Sequence, residues 1–183
     1  PGTGIGGGCV YEGKLLRGKK GSAMEIGHIP ARENSRLCGC GKRGCLEALA
    51  GRLAISAEVA QAAYRGEAPY IATHAGSDLK KMKSGLLAKA IKAGDAVVAR
   101  ILGDAMRLLG RTIGGVVNLL APDVIVLGGG LVEAMPQLVL KEVKAGVQET
   151  AMSSFTRQLN VRIAKLGDNA TALGAAALAA EAR

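Results

Sequence analysis

The chain has 183 residues, the size of one domain and enough to bury most of a core. Apolar residues make up 49% of it, and with one Phe, three Tyr and no Trp there are hardly any aromatics to stack on nucleic-acid bases, which weighs against a nucleic-acid surface. The formal net charge of +9 suits an anionic nucleotide or solubility alone. Its cations are spread along the chain rather than clustered, which weighs against nucleic acid. Charges and glycines interrupt every apolar run before it reaches the length of a membrane helix. With no targeting segment, the expected location is the cytoplasm.

The core is expected to consist of Ala, Val, Leu and Ile packed on helices and strands, as in α/β proteins. The chain opens with Gly2-Thr3-Gly4-Ile5-Gly6-Gly7-Gly8, too rich in glycine for a packed strand. It suits a turn whose backbone N–H groups come close to an anion. It lacks the Lys-Ser/Thr of a Walker loop and no helix follows it directly, so a plain hairpin turn is the alternative. Cys9-Val10-Tyr11, a turn at Glu12-Gly13 and Lys14-Leu15-Leu16-Arg17 predict a β-hairpin.

The stretch from Gly21 to Glu47 holds one of the two histidines and three of the four cysteines. His28, Cys38, Cys40 and Cys45 match a tetrahedral zinc site of the one-histidine, three-cysteine type. Gly39, Gly41 and Gly44 lie between and beside the thiols, where a backbone folding round an ion needs positive φ angles. The spacing is not that of a paired-knuckle finger. Reduced, unliganded side chains are the alternative. Disulfides are disfavoured because Cys38 and Cys40 are too close for an ordinary bridge and no signal peptide implies export.

Leu46 through Ile55 and on to Tyr64 predicts one amphipathic helix, with Glu47 in its first turn, where the helix dipole favours negative charge. Residues 65–77 read as a loop, and His74 within it has no assigned role. Ser84–Ala93 predicts a short helix, and Asp95 caps a longer one running to about Leu120. Gly103, Gly110, Gly114 and Gly115 inside that helix imply close approach of another backbone, from a second subunit or from this domain.

Pro122-Asp123-Val124-Ile125-Val126-Leu127 is a β-branched run that ends in Gly128-Gly129-Gly130 and a helix. A buried strand delivering the chain into a glycine turn is where open α/β sheets place ligands. A tight turn alone would need fewer glycines. Pro136 to about Thr150 predicts a helix, Leu159–Ala164 a strand, and Asp168–Ala182 an alanine-rich terminal helix in which Gly174 allows close packing.

Glu25-Ile26-Gly27-His28, followed by Cys38-Gly39-Cys40-Gly41-Lys42-Arg43-Gly44-Cys45-Leu46-Glu47, resembles the signature of the ROK family of sugar kinases, open reading frames and transcriptional repressors. The two glycine loops extend the likeness over essentially the whole chain. The resemblance implies the carboxyl-terminal lobe of an actin-like, ribonuclease-H-like α/β fold: a mixed sheet flanked by helices, with a zinc-binding loop. It implies structural zinc on His28, Cys38, Cys40 and Cys45, and sugar hydroxyls held by Glu25, His28 and Glu47. Thr3, Gly4, Gly6 and Gly7 would face nucleotide phosphates, and Gly128, Gly129 and Gly130 the adenosine. The family pattern has Gly where Met24 stands here.

The implied activity is transfer of the γ-phosphoryl of ATP, with Mg²⁺, to a hexose, glucose first among them. Family members also often form homodimers through this lobe, which favours the subunit reading of the helix glycines. The expectation is a single domain over residues 1–183, with the amino-terminal lobe and the first strand of the sheet outside it. That strand position would be filled by another segment or another copy. The sequence has no DxGGT-like run and no Asn-Asp pair to carry the catalytic base, so the chain alone is expected to be inactive. The rival reading is a sugar-responsive repressor with its helix-turn-helix ahead of this segment, the one case in which nucleic acid would be a partner.

Overall fold

The structure is a computed structural model and describes residues 2–181. Its elements in order are β1 (Val10–Tyr11), β2 (Lys14–Leu15), a 3-10 turn (Ile26–His28), α1 (Leu46–Ala50), α2 (Arg52–Tyr64), α3 (Pro69–His74), α4 (Ser84–Lys92) and α5 (Ala96–Leu120). Then follow β3 (Val124–Leu127), α6 (Gly130–Ala134), α7 (Pro136–Thr150), α8 (Ser153–Thr156), β4 (Asn160–Ile163), a 3-10 turn (Gly167–Asn169) and α9 (Ala170–Glu181). No helix is long and apolar enough to cross a membrane among the described residues.

One aliphatic core runs through the helices. Leu46, Ile55, Ile71, Leu87, Leu102, Met106 and Leu131 are fully buried in it, each contributing roughly 1.5–3 kcal/mol by removal of its side chain from water. α5 is its axis. The helix starts where expected: Asp95 Oδ1 accepts from the Val98 N–H at 3.2 Å. It ends at Ala121, whose φ of 42° is left-handed, just before Pro122.

α5 packs on α7 through its glycines. A Cβ at Gly110 would meet the Val143 carbonyl and, at 2.9 Å, the Gly146 Cα. One at Gly114 would lie 2.9 Å from Thr150 Cβ. For these two glycines the close approach is therefore within the domain, which corrects the expectation of a subunit contact. A Cβ at Gly115 or at the terminal-helix Gly174 would meet nothing within 4 Å among the described residues, so the close packing expected of Gly174 is not seen among them.

Three other expectations are corrected. The helix expected from Leu46 to Tyr64 is split at Gly51, which is extended at ψ 151°. The first glycine segment passes that point: the Arg52 N–H donates to the Gly2 carbonyl at 3.1 Å, so chain carbonyls take up the donors a helix start leaves free. Residues 69–74, read as loop, form α3, which Pro69 opens. The mixed sheet is not continuous. β1 and β2 make an antiparallel ladder, while β3 and β4 make a separate parallel one in the register Val124↔Asn160 to Leu127↔Ile163. A cavity of about 370 Å³ separates them, lined by residues 5–10 on one side and 124–128 on the other. Ala182, at the end of the expected terminal helix, lies outside the described residues.

Candidate functional site

The Gly21–Glu47 stretch has little regular structure, so its backbone groups must be satisfied turn by turn. The Ala31 N–H donates to the Gly44 carbonyl at 2.8 Å, Gly44 to Arg36 at 3.0 Å, Cys38 to Lys42 at 2.8 Å and Leu46 to Ile29 at 3.0 Å. Gly41 and Gly44 take the expected positive φ of 84° and 79°. Gly39 does not have one, which corrects that part of the glycine reading. A Cβ at Gly44 would overlap the Arg32 carbonyl. Met24, at the position where the family pattern has Gly, has a φ of 66°, a region that costs a branched or long side chain roughly 1–2 kcal/mol.

These turns bring His28, Cys38, Cys40 and Cys45 together. Their ligand atoms all lie within 4.8 Å of one another. His28 Nδ1 is 3.6 Å from Cys38 Sγ, and Cys40 Sγ is 3.6 Å from Cys45 Sγ. A tetrahedral ion with bonds of about 2.0–2.3 Å has edges of roughly 3.3–3.8 Å, so the spacing and the donor set are compatible with zinc. None of the thiols is in a disulfide. Burial pushes the Cys45 thiol up to about 11, whereas the Lys42 backbone N–H lowers that of Cys40. An ion here would displace thiol protons, and its retention would fall with pH.

Cys45 also caps α1, so the cluster fixes the start of the helix that carries Glu47. Glu47 Oε2 accepts from the Ile5 N–H at 2.9 Å, tying the first glycine loop to α1. Two glycines tighten the junction. A Cβ at Gly27 would overlap the Ile5 carbonyl, and one at Gly7 would come within 2.8 Å of the Met24 carbonyl and 2.9 Å of Ile26. A Cβ at Gly4 would overlap the Glu47 carboxylate itself. Glu25 stands exposed just ahead of the 3-10 turn, and His28, also exposed, turns Nδ1 to the cluster, with no hydrogen-bond partner for Nε2 among the described residues.

Thr3, Gly4, Gly6 and Gly7 are thus contiguous with Glu47 and the Glu25–His28 turn. Gly128, Gly129 and Gly130 form the second loop at the carboxyl end of β3. Gly129 has a φ of 99°, and its carbonyl accepts from the Val132 N–H at 2.8 Å as α6 begins. Gly6, Gly7 and Gly8 share a cavity wall with Gly128, so the two loops border one space.

Several residues in the same neighbourhood carry no sequence motif. Arg52 Nη2 donates to Thr3 Oγ1 at 2.9 Å. Ser84 Oγ lies 3.4 Å from where a Cβ on Gly130 would be. His74, left without a role, stacks on Tyr70 at 4.0 Å between ring centroids and meets the Tyr70 carbonyl at 2.8 Å, which is a local α3 contact.

This architecture is that of the actin-like ATPase fold, the fold of the sugar kinases to which the structure is similar. The chain belongs to the ROK family, whose profile matches residues 2–182. It is 32% identical over 180 residues to a glucokinase of Thermotoga maritima, covering 98% of this chain and 56% of that protein. It is 30% identical over 175 residues to the DNA-binding transcriptional dual regulator NagC of Escherichia coli, covering 96% of this chain and 41% of that protein. Among solved structures it superposes with a TM-score of 0.84 and 29% identity on a ROK family glucokinase from Streptomyces griseus in complex with glucose and AMPPNP, over 97% of this chain and 57% of that one. The chain thus spans about half the length of the curated relatives it matches. The family holds sugar kinases and repressors alike.

Proposed function

We propose that this chain is the carboxyl-terminal lobe of an ATP-dependent hexose kinase of the glucokinase type, with residues 1–183 as one domain. The observation that carries the reading is the Glu47–Ile5 bond. It joins the carboxylate expected to hold sugar to the loop expected to hold phosphate, so donor and acceptor would meet at one place. Phosphoryl transfer depends chiefly on such positioning and on charge neutralisation.

In this reading Glu25 and Glu47 accept sugar O–H bonds, with Glu47 using the lone pairs left over from Ile5. His28 offers Nε2 to a hydroxyl while Nδ1 faces the metal. Zinc on His28, Cys38, Cys40 and Cys45 is structural: it holds the turn and the α1 start. Backbone N–H groups of the Thr3–Gly7 loop would cradle phosphate, and Gly128–Gly130 would border adenosine. Mg²⁺ would arrive with ATP. A base for the hydroxyl is expected from an amino-terminal lobe, so the isolated chain should not turn over glucose and ATP.

The 30% identity to a transcriptional regulator favours one alternative, a sugar-responsive repressor lobe. Calorimetric titration of the 183-residue chain with AMPPNP and with glucose separates the two. The kinase reading expects both to bind, with glucose weakened about tenfold or more in Glu47→Gln. Glucose binding without any AMPPNP binding would overturn it in favour of the repressor.

A further inference from the structure

The three thiols of the cluster are not equivalent. Cys38 and Cys45 are buried, whereas Cys40 is exposed to solvent. Its surroundings in the chain are cationic: residues 28–45 contain Arg32, Arg36, Lys42 and Arg43 against a single carboxylate, Glu33. Of these cations only Arg36 is in an ion pair among the described residues, with Glu58. Reactive cysteines are found in such accessible, electropositive settings, and inert ones are buried.

A second sulfur stands within reach of the first. Cys40 Sγ and Cys45 Sγ are 3.6 Å apart, and a disulfide would bring them to roughly 2.0 Å. The chain between them can bend, because Gly41 and Gly44, the neighbours of Cys40 and Cys45, both have positive φ. Cys38 is a poor partner for Cys40, with one residue between them, and it faces His28 Nδ1 at 3.6 Å.

We propose that Cys40 and Cys45 form a reversible redox switch on the metal site: hydrogen peroxide joins them in a disulfide, and the segment releases its zinc. The Cys40 thiolate attacks one peroxide oxygen, the O–O bond breaks, and Cys40 becomes a sulfenic acid as hydroxide leaves. The Cys45 thiolate then attacks the Cys40 sulfur, forms the S–S bond and displaces a second hydroxide. The two thiolates have given two electrons to the peroxide, and two protons from solvent turn the hydroxides into water. No electron passes to or from Zn²⁺, but with two of its four ligands spent only His28 and Cys38 remain to hold it. A dithiol reverses the bridge. Cys45 caps α1, whose Glu47 holds the Ile5 N–H at 2.9 Å, so the switch extends to the first glycine loop. The inference rests on the zinc reading, and its effect on sugar rests on the kinase reading.

The test uses the whole chain carrying Cys9→Ser, which removes the one cysteine outside the cluster, and follows zinc with a chromogenic chelator. Wild type with peptide mapping of the bridge is the companion should Cys9→Ser lower the melting temperature. Peroxide is expected to release about one zinc per chain with loss of two free thiols, and dithiothreitol with added zinc to restore both. Trypsin should then cut the oxidised chain after Lys42 or Arg43 and leave pieces that separate only on reduction, because the bridge spans the cut. Zinc that stays bound while glutathione in the same solution is oxidised would overturn the switch. Release accompanied by sulfinic acid or by a bridge to Cys38 would overturn it too. A reduced chain that holds no zinc would overturn the switch and the zinc reading together. Glucose affinity, by calorimetry, should fall about tenfold or more on oxidation and return with dithiothreitol and zinc. Unchanged affinity in the bridged chain would overturn the link to Glu47 and leave the kinase reading standing. A reduced, zinc-loaded chain that binds no glucose would overturn both.

Discussion

The Gly21–Glu47 segment and the α5–α7 pair keep their shapes by different means. The segment buries few large side chains and is held by turn-to-turn backbone bonds, by glycines at 41 and 44 with positive φ, and by four metal-type ligands. α5 and α7 are regular and meet through buried aliphatics and a glycine contact so close that the Gly110 and Gly146 Cα atoms face one another. The consequence is a division of sensitivity. Ligand chemistry is expected to control the first region and volume the second.

Removing the ligand set should produce the largest effect. Cys45→Ser, or a strong chelator applied to wild type, is expected to abolish retention of one zinc per chain and to open residues 29–45 to proteolysis. Elemental analysis and limited digestion check this, and a metal-free wild type with a fully protected segment would break the comparison on its first side. Acid should act in the same direction, because thiols must be deprotonated to hold a metal.

The second effect is steric. Gly110→Leu would force side-chain atoms into the Val143 carbonyl and the Gly146 Cα, and overpacking of this kind costs about 1–3 kcal/mol or more. Denaturant unfolding should show that loss while zinc content stays unchanged. Gly115→Ala, which meets open space, should be close to neutral or slightly stabilising.

A smaller change should go the other way. Met24→Gly relieves the left-handed φ of 66° and is expected to raise stability by up to about 1 kcal/mol, read as a higher denaturation midpoint. A loss would show that packing of the half-buried Met24 outweighs its backbone strain.

The smallest effect concerns charges at the α5–α7 seam. The Arg111 guanidinium bonds Glu149 and holds its carboxyl below the ordinary value of 4.5. A carboxylate depressed in the folded state contributes stability above its unfolded value, and that contribution is lost as pH falls through the folded one. Glu149→Gln should therefore be slightly less stable than wild type near neutrality, with the gap closing below about pH 4.5. Both partners are partly solvated, so the gap is small.

Much of this was legible because the information was local. The cap at Asp95, the apolar stripe of α5 and the Val124–Leu127 strand announced themselves through residue type at fixed spacing. The same holds for the four ligands and the two glycine loops. What sequence reading missed has a common cause. Gly51 breaks a helix because carbonyls from Gly2 and Thr3, far away in the chain, take over its first donors. Gly110 faces α7 while Gly115 faces open space, although both are glycines in one helix.

By itself, the sequence determined which residues could serve together as metal ligands and where α5 and α7 start and stop. Each of those follows from side-chain chemistry or from periodicity within a few turns. Only the tertiary structure decided that Glu47 holds the first glycine loop through Ile5, that Arg52 holds Thr3, and that the two glycine loops border one cavity. Those are contacts between segments distant in the chain, set by how the helices pack, and no local pattern encodes them.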